Sequence, residues 1–150
     1  MDKFHSNPYN PNNHLITHEQ VQSIMKQLDI SNFKPTNLSF YQTAFVHKSY
    51  CSMKEYEAYE LPKDETLHLQ EKSYETMEFL GDAILESVVS SYLYERFHCI
   101  HNQNEGFLTK LRIRLVCGVN LTAMSKCLQF QNYLIISDQV EKSSQGRLND

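Results

Sequence analysis

The stretch Tyr74-Glu-Thr-Met-Glu-Phe-Leu-Gly-Asp-Ala-Ile-Leu-Glu86 decides how the rest of the chain is read. It predicts the start of a long helix over residues 73–97, because helix formers dominate there and no proline interrupts them. The carboxylates Glu75, Glu78, Asp82 and Glu86 recur at spacings of three, four and four. At roughly 100° per residue they fall within an arc of about 80°. Like charges on one stripe repel and weaken a helix, and no lysine or arginine stands at i+4 to relieve them. The opposite stripe of Met77, Leu80, Ile84 and Val88 reads as a core face. Gly81 sits mid-helix, where glycine costs about 1 kcal/mol relative to alanine, so something is expected to pack close to the backbone there. An acidic stripe is ordinarily a solvated helix face. Clustered hard oxygen ligands equally suit a divalent cation such as Mg²⁺ or Mn²⁺. The residues alone leave both readings open.

The whole of this stretch resembles the signature helix of the ribonuclease III family. Its neighbours extend the resemblance in the right order. Tyr41-Gln-Thr-Ala-Phe-Val-His-Lys-Ser-Tyr50 is similar to the family's first conserved helix, and Asn104-Glu-Gly-Phe-Leu-Thr-Lys-Leu-Arg-Ile-Arg-Leu-Val116 to the segment that follows the signature helix. Asn120-Leu-Thr-Ala-Met-Ser-Lys126 fits the next helix, and Gly146-Arg-Leu-Asn149 the run into the last conserved block. The likeness covers roughly residues 38–150. It implies an all-α fold like the ribonuclease III endonuclease domain, with about six helices around the signature helix. It implies an endoribonuclease that cleaves double-stranded RNA by Mg²⁺-dependent phosphodiester hydrolysis, leaving 5′-phosphate and 3′-hydroxyl ends. Glu78 and Asp82 would be the catalytic, metal-holding pair, Glu75 and Glu105 supporting members of the metal site, and Mn²⁺ a substitute for Mg²⁺. Double-stranded RNA would be recognised by shape and 2′-hydroxyls.

The same helix carries an expectation about assembly. Gly81 puts bare backbone on its surface, and Phe79 lies about 40° from Glu75 rather than on the core stripe. From Val88 to Tyr94 the helix is apolar on nearly every side except its serines. Such a helix is either central in its domain or shared with a second subunit. The resemblance implies the second: a homodimer through the signature helix, with Phe79 and Gly81 at the interface.

Composition sets outer bounds. A chain of 150 residues fits one domain, and 41% hydrophobic residues suffice for a core. No apolar run approaches a membrane span and the N-terminus lacks a signal peptide's hydrophobic region, so an intracellular, cytoplasmic protein without a membrane partner is expected. Cys51, Cys99, Cys117 and Cys127 show no CxxC spacing and read as reduced, mostly buried thiols. His98, Cys99 and His101 form a compact trio without a fourth zinc ligand. A net charge of −4 gives no global basic footprint for nucleic acid. Lys110, Arg112 and Arg114 form the dense basic run, open to salt bridging, solvation or RNA phosphate contact.

In order, residues 1–16 read as a mobile N-terminal tail and 17–150 as the ribonuclease III-like catalytic domain, with an inserted loop at about 51–72. Thr17 and Gln20 form a capping box that opens a helix to about Leu28, with Val21, Ile24, Met25 and Leu28 inward. A second helix runs from Leu38 or Ser39 to Lys48 with Phe40, Ala44 and Phe45 inward, and His47 reads as a hydrogen-bonded core histidine. Tyr56 and Tyr59 read as loop anchors. A loop is expected over residues 98–103, Asn104 as a helix cap, a break at Gly118, an apolar pin within 130–137, and a polar loop over residues 138–146. Beyond Gly146 the chain departs from the family pattern: no Asp-x-x-Glu follows, nor any double-stranded-RNA-binding domain. The catalytic domain is therefore expected to be C-terminally incomplete, and the 150-residue piece alone inactive. The alternative is a non-catalytic ribonuclease III-like module that binds RNA or protein. A hydrolase of small phosphate esters fits the acidic helix but not the flanking blocks.

Overall fold

The computed structural model describes residues 7–62 and 66–143. Among them are six α-helices and no strand: α1 His18–Gln27, α2 Leu38–Ala44, α3 Glu75–Leu93, α4 Glu105–Val116, α5 Gly118–Cys127 and α6 Asp138–Lys142. They divide between two compact units, one of residues 1–75 with 128–150, the other Thr76–Cys127.

The first unit holds most of the core. The capping box forms as expected: Gln20 N–H donates to Thr17 Oγ1 at 3.3 Å, and Thr17 N–H to Gln20 Oε1 at 2.8 Å. Val21 and Ile24 of α1 are buried with Ile16 against Phe33, Leu38, Tyr41, Phe45, Phe130 and Tyr133, while Leu28 is exposed. Phe45 meets Phe130 and Tyr133 at ring-centroid distances of 5.5 and 5.6 Å, a spacing at which aromatic edges and faces attract.

Helix α2 ends at Ala44, earlier than its pattern suggests, because the chain turns extended to bridge Val46 to Ile135. The expected inward face is corrected accordingly. Phe40 and Ala44 are exposed, and Leu38, Tyr41 and Phe45 face the core. His47 accepts from Ser49 N–H at 3.2 Å and is half-buried, as a hydrogen-bonded structural histidine should be.

The inserted loop is tied at both ends. Ser52 N–H donates to Gln70 O, Gln70 N–H to Tyr50 O, and the buried Tyr50 hydroxyl to Leu67 O at 2.6 Å. Burial pushes the Tyr50 phenol above its usual range. Tyr56 and Tyr59 are half-buried, and Tyr56 Oη donates to Ser49 O at 3.4 Å.

The expected mobile tail is overturned for residues 8–16; residues 1–6 lie outside the described residues. Pro8, Asn10, Asn13 and Ile16 are all buried. Asn13 donates to Ile136 O at 2.8 Å and accepts from Ile136 N–H at 3.2 Å, and Asn10 donates to the same carbonyl at 3.1 Å. Asn10 also donates to Glu141 Oε2. Asparagine-rich sequence looked disordered because its polar groups suit water equally well; here they replace water at the backbone of residue 136. Asn13→Ala takes the acceptor from the buried Ile136 N–H and leaves the Ile136 carbonyl with Asn10 alone, at about 1–3 kcal/mol. The expected result is a melting temperature lowered by about 3–10 °C, read by circular dichroism. An unchanged melt would sink the claim that this segment belongs to the fold.

The expected polar loop after Ser137 is instead helical as far as Lys142. Ser137 Oγ accepts from Val140 N–H at 3.3 Å and caps α6.

The second unit is small, and Leu93 is the one fully buried residue among 76–127. The core stripe expected on α3 is corrected here. Leu80, Ile84 and Val88 are 59, 54 and 61% exposed, and Met77 is half-buried. A unit of this size has too little surrounding chain to cover every face of three helices. After Leu93 the helix loosens into a π segment, Tyr94–Cys99, and closes at Asn102 in the left-handed region (φ 50°). The loop expected from His98 therefore begins only at Asn102. Asn104 caps α4 by accepting from Phe107 N–H at 3.0 Å, and α5 restarts at Gly118. Of the thiols, Cys99 and Cys127 are exposed, contrary to expectation, and Cys51 and Cys117 half-buried. No helix among the described residues is long and apolar enough to cross a membrane.

Candidate active site

Helix α3 presents the acidic stripe along its length. Ser73 Oγ accepts from Glu75 N–H at 3.4 Å and so satisfies one donor of the first turn. Glu75, at the helix start, also meets Lys48 Nζ at 3.2 Å. Both side chains are more than half exposed, so this pair contributes little stability. One turn on, Glu78 and Asp82 stand at i and i+4, both exposed, with no hydrogen bond or ion pair among the described residues. On a helix, side chains at this spacing are neighbours, so two free carboxylates share one face. Glu86 continues the stripe and is exposed as well.

Glu105 stands elsewhere. It accepts from Thr109 Oγ1 at 2.8 Å and lines a cleft with Ser90, Ser91, Tyr94 and His98. At a rise of 1.5 Å per residue, Ser90 lies about 12 Å along α3 from Asp82. Glu105 is thus not gathered with Glu78 and Asp82, and among the described residues no three His, Cys, Asp or Glu side chains converge as a metal site. Glu105 lies in the first turn of α4, where the helix dipole favours a carboxylate. Glu78 and Asp82 nonetheless fit Mg²⁺ in kind: this ion is commonly held by one or two carboxylates, with water and substrate phosphate completing its shell.

In the basic run, Arg112 Nη1 donates to Ser90 Oγ at 3.3 Å and is half-buried, while Lys110 and Arg114 are exposed and form no ion pair among the described residues. The cleft that Arg112 lines is the part of the site that the linear pattern did not mark. It forms where the helical register slips into the π segment, and no periodicity in the sequence announces that slip. Burial, then the Glu75 carboxylate, hold the Cys51 thiol above its usual value, so it stays protonated and unreactive. On the candidate dimer surface, Phe79 is 83% exposed, and a Cβ built on Gly81 would meet nothing within 4 Å.

Comparison with known proteins agrees with this helical arrangement. A "Probable ribonuclease 3" of Acanthamoeba polyphaga mimivirus is 31% identical over 144 residues, 93% of this chain and 26% of its own length. Ribonuclease 3 of Mycoplasmoides pneumoniae is 37% identical over 103 residues, 69% of this chain and 31% of its own. The chain thus spans about a quarter to a third of these curated relatives. In structure it is similar to the nuclease domain of ribonuclease III from Campylobacter jejuni, with a TM-score of 0.60 at 21% identity over 87% of this chain and 72% of that one. A second structure of that nuclease domain, with a TM-score of 0.59 at 24% identity over 86% of this chain and 75% of that one, is described as showing flexibility in the region involved in dimer formation. The sequence pattern described as ribonuclease-III-like matches residues 37–150, and the chain belongs to that family.

Proposed function

We propose that the protein is an endoribonuclease that hydrolyses phosphodiester bonds of double-stranded RNA with Mg²⁺, leaving 5′-phosphate and 3′-hydroxyl ends. The observation that carries the reading is the free pair Glu78 and Asp82, exposed on one face of the helix that bears the family resemblance. Their four carboxylate oxygens are hard ligands in no ion pair among the described residues, and they would hold the ion with water and RNA phosphate as its other ligands. Mn²⁺ would substitute. Bound there, the metal would activate a water and stabilise charge on the leaving oxygen. The protein's own part is to fix two charges on a rigid helix, so that little reorganisation is needed when the phosphate arrives. Glu75 would reinforce the negative field from the helix start. Lys110 and Arg114, exposed and in no ion pair among the described residues, would contact RNA phosphates. The protein would work as a homodimer through α3, one site on each strand.

The test is cleavage of long duplex RNA by the longest natural form of the protein, with Mg²⁺ and with EDTA. Staggered products bearing 5′-phosphates, formed with Mg²⁺ only, are expected. Cleavage unaffected by EDTA, or a product with a 2′,3′-cyclic phosphate, would sink the mechanism.

A further inference from the structure

The cleft between the end of α3, the π segment and α4 lies wholly within residues 76–127 and has a volume of about 610 Å³. Groups of opposite sign line it: the Arg112 guanidinium from α4, and the carboxylates of Glu95 and Glu105. Arg112 is held by Ser90 and Glu105 by Thr109, yet no ion pair joins either carboxylate to the guanidinium among the described residues. Opposite charges that share a cleft without neutralising one another present a donor fork and separate acceptors to whatever enters. Tyr94 adds a ring, tilted 31° against His98 at a centroid distance of 4.9 Å and more than half exposed. His98 is itself fixed. Its Nδ1 donates to Gln103 O at 2.8 Å, which places a proton on Nδ1 and turns Nε2 away from that contact. The π segment that assembles these groups is a type of irregularity often found at functional sites.

We propose that this cleft takes an unpaired guanine of an RNA strand. Guanine shows two acceptors, O6 and N7, on one edge and the N1–H and N2–H₂ donors on the next. An arginine fork matches the first edge, a carboxylate the second, and an aromatic ring supplies a stacking face. Adenine offers a donor where O6 would be, and pyrimidines lack N7. A bare phosphate suits the cleft poorly, because two carboxylates line it beside the one guanidinium. The proposal rests on RNA being the substrate, as argued above, and makes Arg112 a reader of a base edge rather than a phosphate contact.

The experiment measures binding of the 150-residue chain in EDTA to a labelled oligouridine carrying one central guanosine, by fluorescence anisotropy. Parallel oligomers carry adenosine, inosine, 7-deazaguanosine or uridine at that place. Guanosine should bind tightest. Inosine, which lacks the N2 donors, and 7-deazaguanosine, which lacks the N7 acceptor, should each bind roughly tenfold more weakly. Arg112→Lys and Glu95→Gln should each bring guanosine down to the level of adenosine measured on the same variant. Equal affinity for all five oligomers overturns the proposal, as does a guanosine preference that survives both substitutions. Should a variant fail to fold, the inosine and 7-deazaguanosine oligomers decide on the unsubstituted chain. No metal is present and no cleavage is read, so failure here leaves the nuclease reading standing. Failure of cleavage likewise leaves this preference measurable.

Discussion

Asp82→Asn, introduced into a form of the protein that cleaves duplex RNA, is expected to lower the cleavage rate on the order of a thousandfold. RNA binding and melting temperature should stay near those of the unsubstituted protein. The magnitude follows from the role. A divalent ion supplies several kcal/mol of transition-state stabilisation, and about 4 kcal/mol corresponds to a thousandfold in rate. Asparagine keeps the shape of aspartate and one oxygen but removes the charge that binds the cation. Stability should hardly move, because Asp82 is exposed and makes no hydrogen bond or ion pair among the described residues. Removing one charge from a stripe of like charges even relieves a small repulsion. Single-turnover cleavage at saturating RNA over a Mg²⁺ titration measures the effect. A variant that cleaves at the original rate, or one rescued fully by modestly more Mg²⁺, would remove Asp82 from the catalytic pair.

The sequence was most legible where local chemistry and the global fold agree. The capping box at Thr17 and Gln20 and the cap at Asn104 each depend on a few adjacent residues and appear where expected, and the break expected at Gly118 falls one residue earlier, at Cys117. The apolar pin was legible too, because Ile135 and Ile136 have nowhere to go but inward. Segments whose fate depends on distant partners were misread. Asn10 and Asn13 are polar in sequence yet buried, since their amides answer the backbone of Ile136. Phe40 carries the inward pattern of a longer helix, but α2 stops early to let Val46 pair with Ile135.

The candidate site divides in the same way. Glu78 and Asp82 share a face because helix geometry alone requires it, so their pairing could be read from spacing. The place of Glu105 could not, because it depends on how α4 lies beside the π segment. The exposed stripe on α3 is the clearest departure. Spacing correctly identified Leu80, Ile84 and Val88 as one apolar face, but periodicity says only that a face wants cover, not which surface supplies it.

That face, together with Phe79 beside the acidic stripe, leads to the assembly prediction: the protein should be a two-fold dimer at micromolar concentration, and Phe79→Ala should weaken it on the order of a thousandfold. Phe79 is 83% exposed, and Leu80, Ile84, Val88 and Tyr92 form an exposed band down the same helix, each more than half accessible. An apolar band of that length on one helix ordinarily marks an interface. Gly81 sharpens the argument. Its missing Cβ would touch nothing within 4 Å, so the chain's own packing gives no reason for a residue that weakens the helix by about 1 kcal/mol. A partner's backbone or side chain seated against it would give one. In an isologous interface each substitution counts twice. A buried aromatic anchor contributes about 2 kcal/mol or more, so two copies raise Kd by roughly three decades.

Gly81→Ala separates this reading from cover by the chain itself. It should raise the stability of the dissociated chain by up to about 1 kcal/mol, since alanine suits a helix better, while shifting the dimer equilibrium toward monomer. Sedimentation velocity over a concentration series reads the equilibrium, and thermal melts read the helix. A wild-type chain and a longer natural form that both sediment as monomers at tens of micromolar, unaltered by Phe79→Ala, would leave the band without a partner and end the proposal. So would a Gly81→Ala variant that dimerises as tightly as the unsubstituted chain.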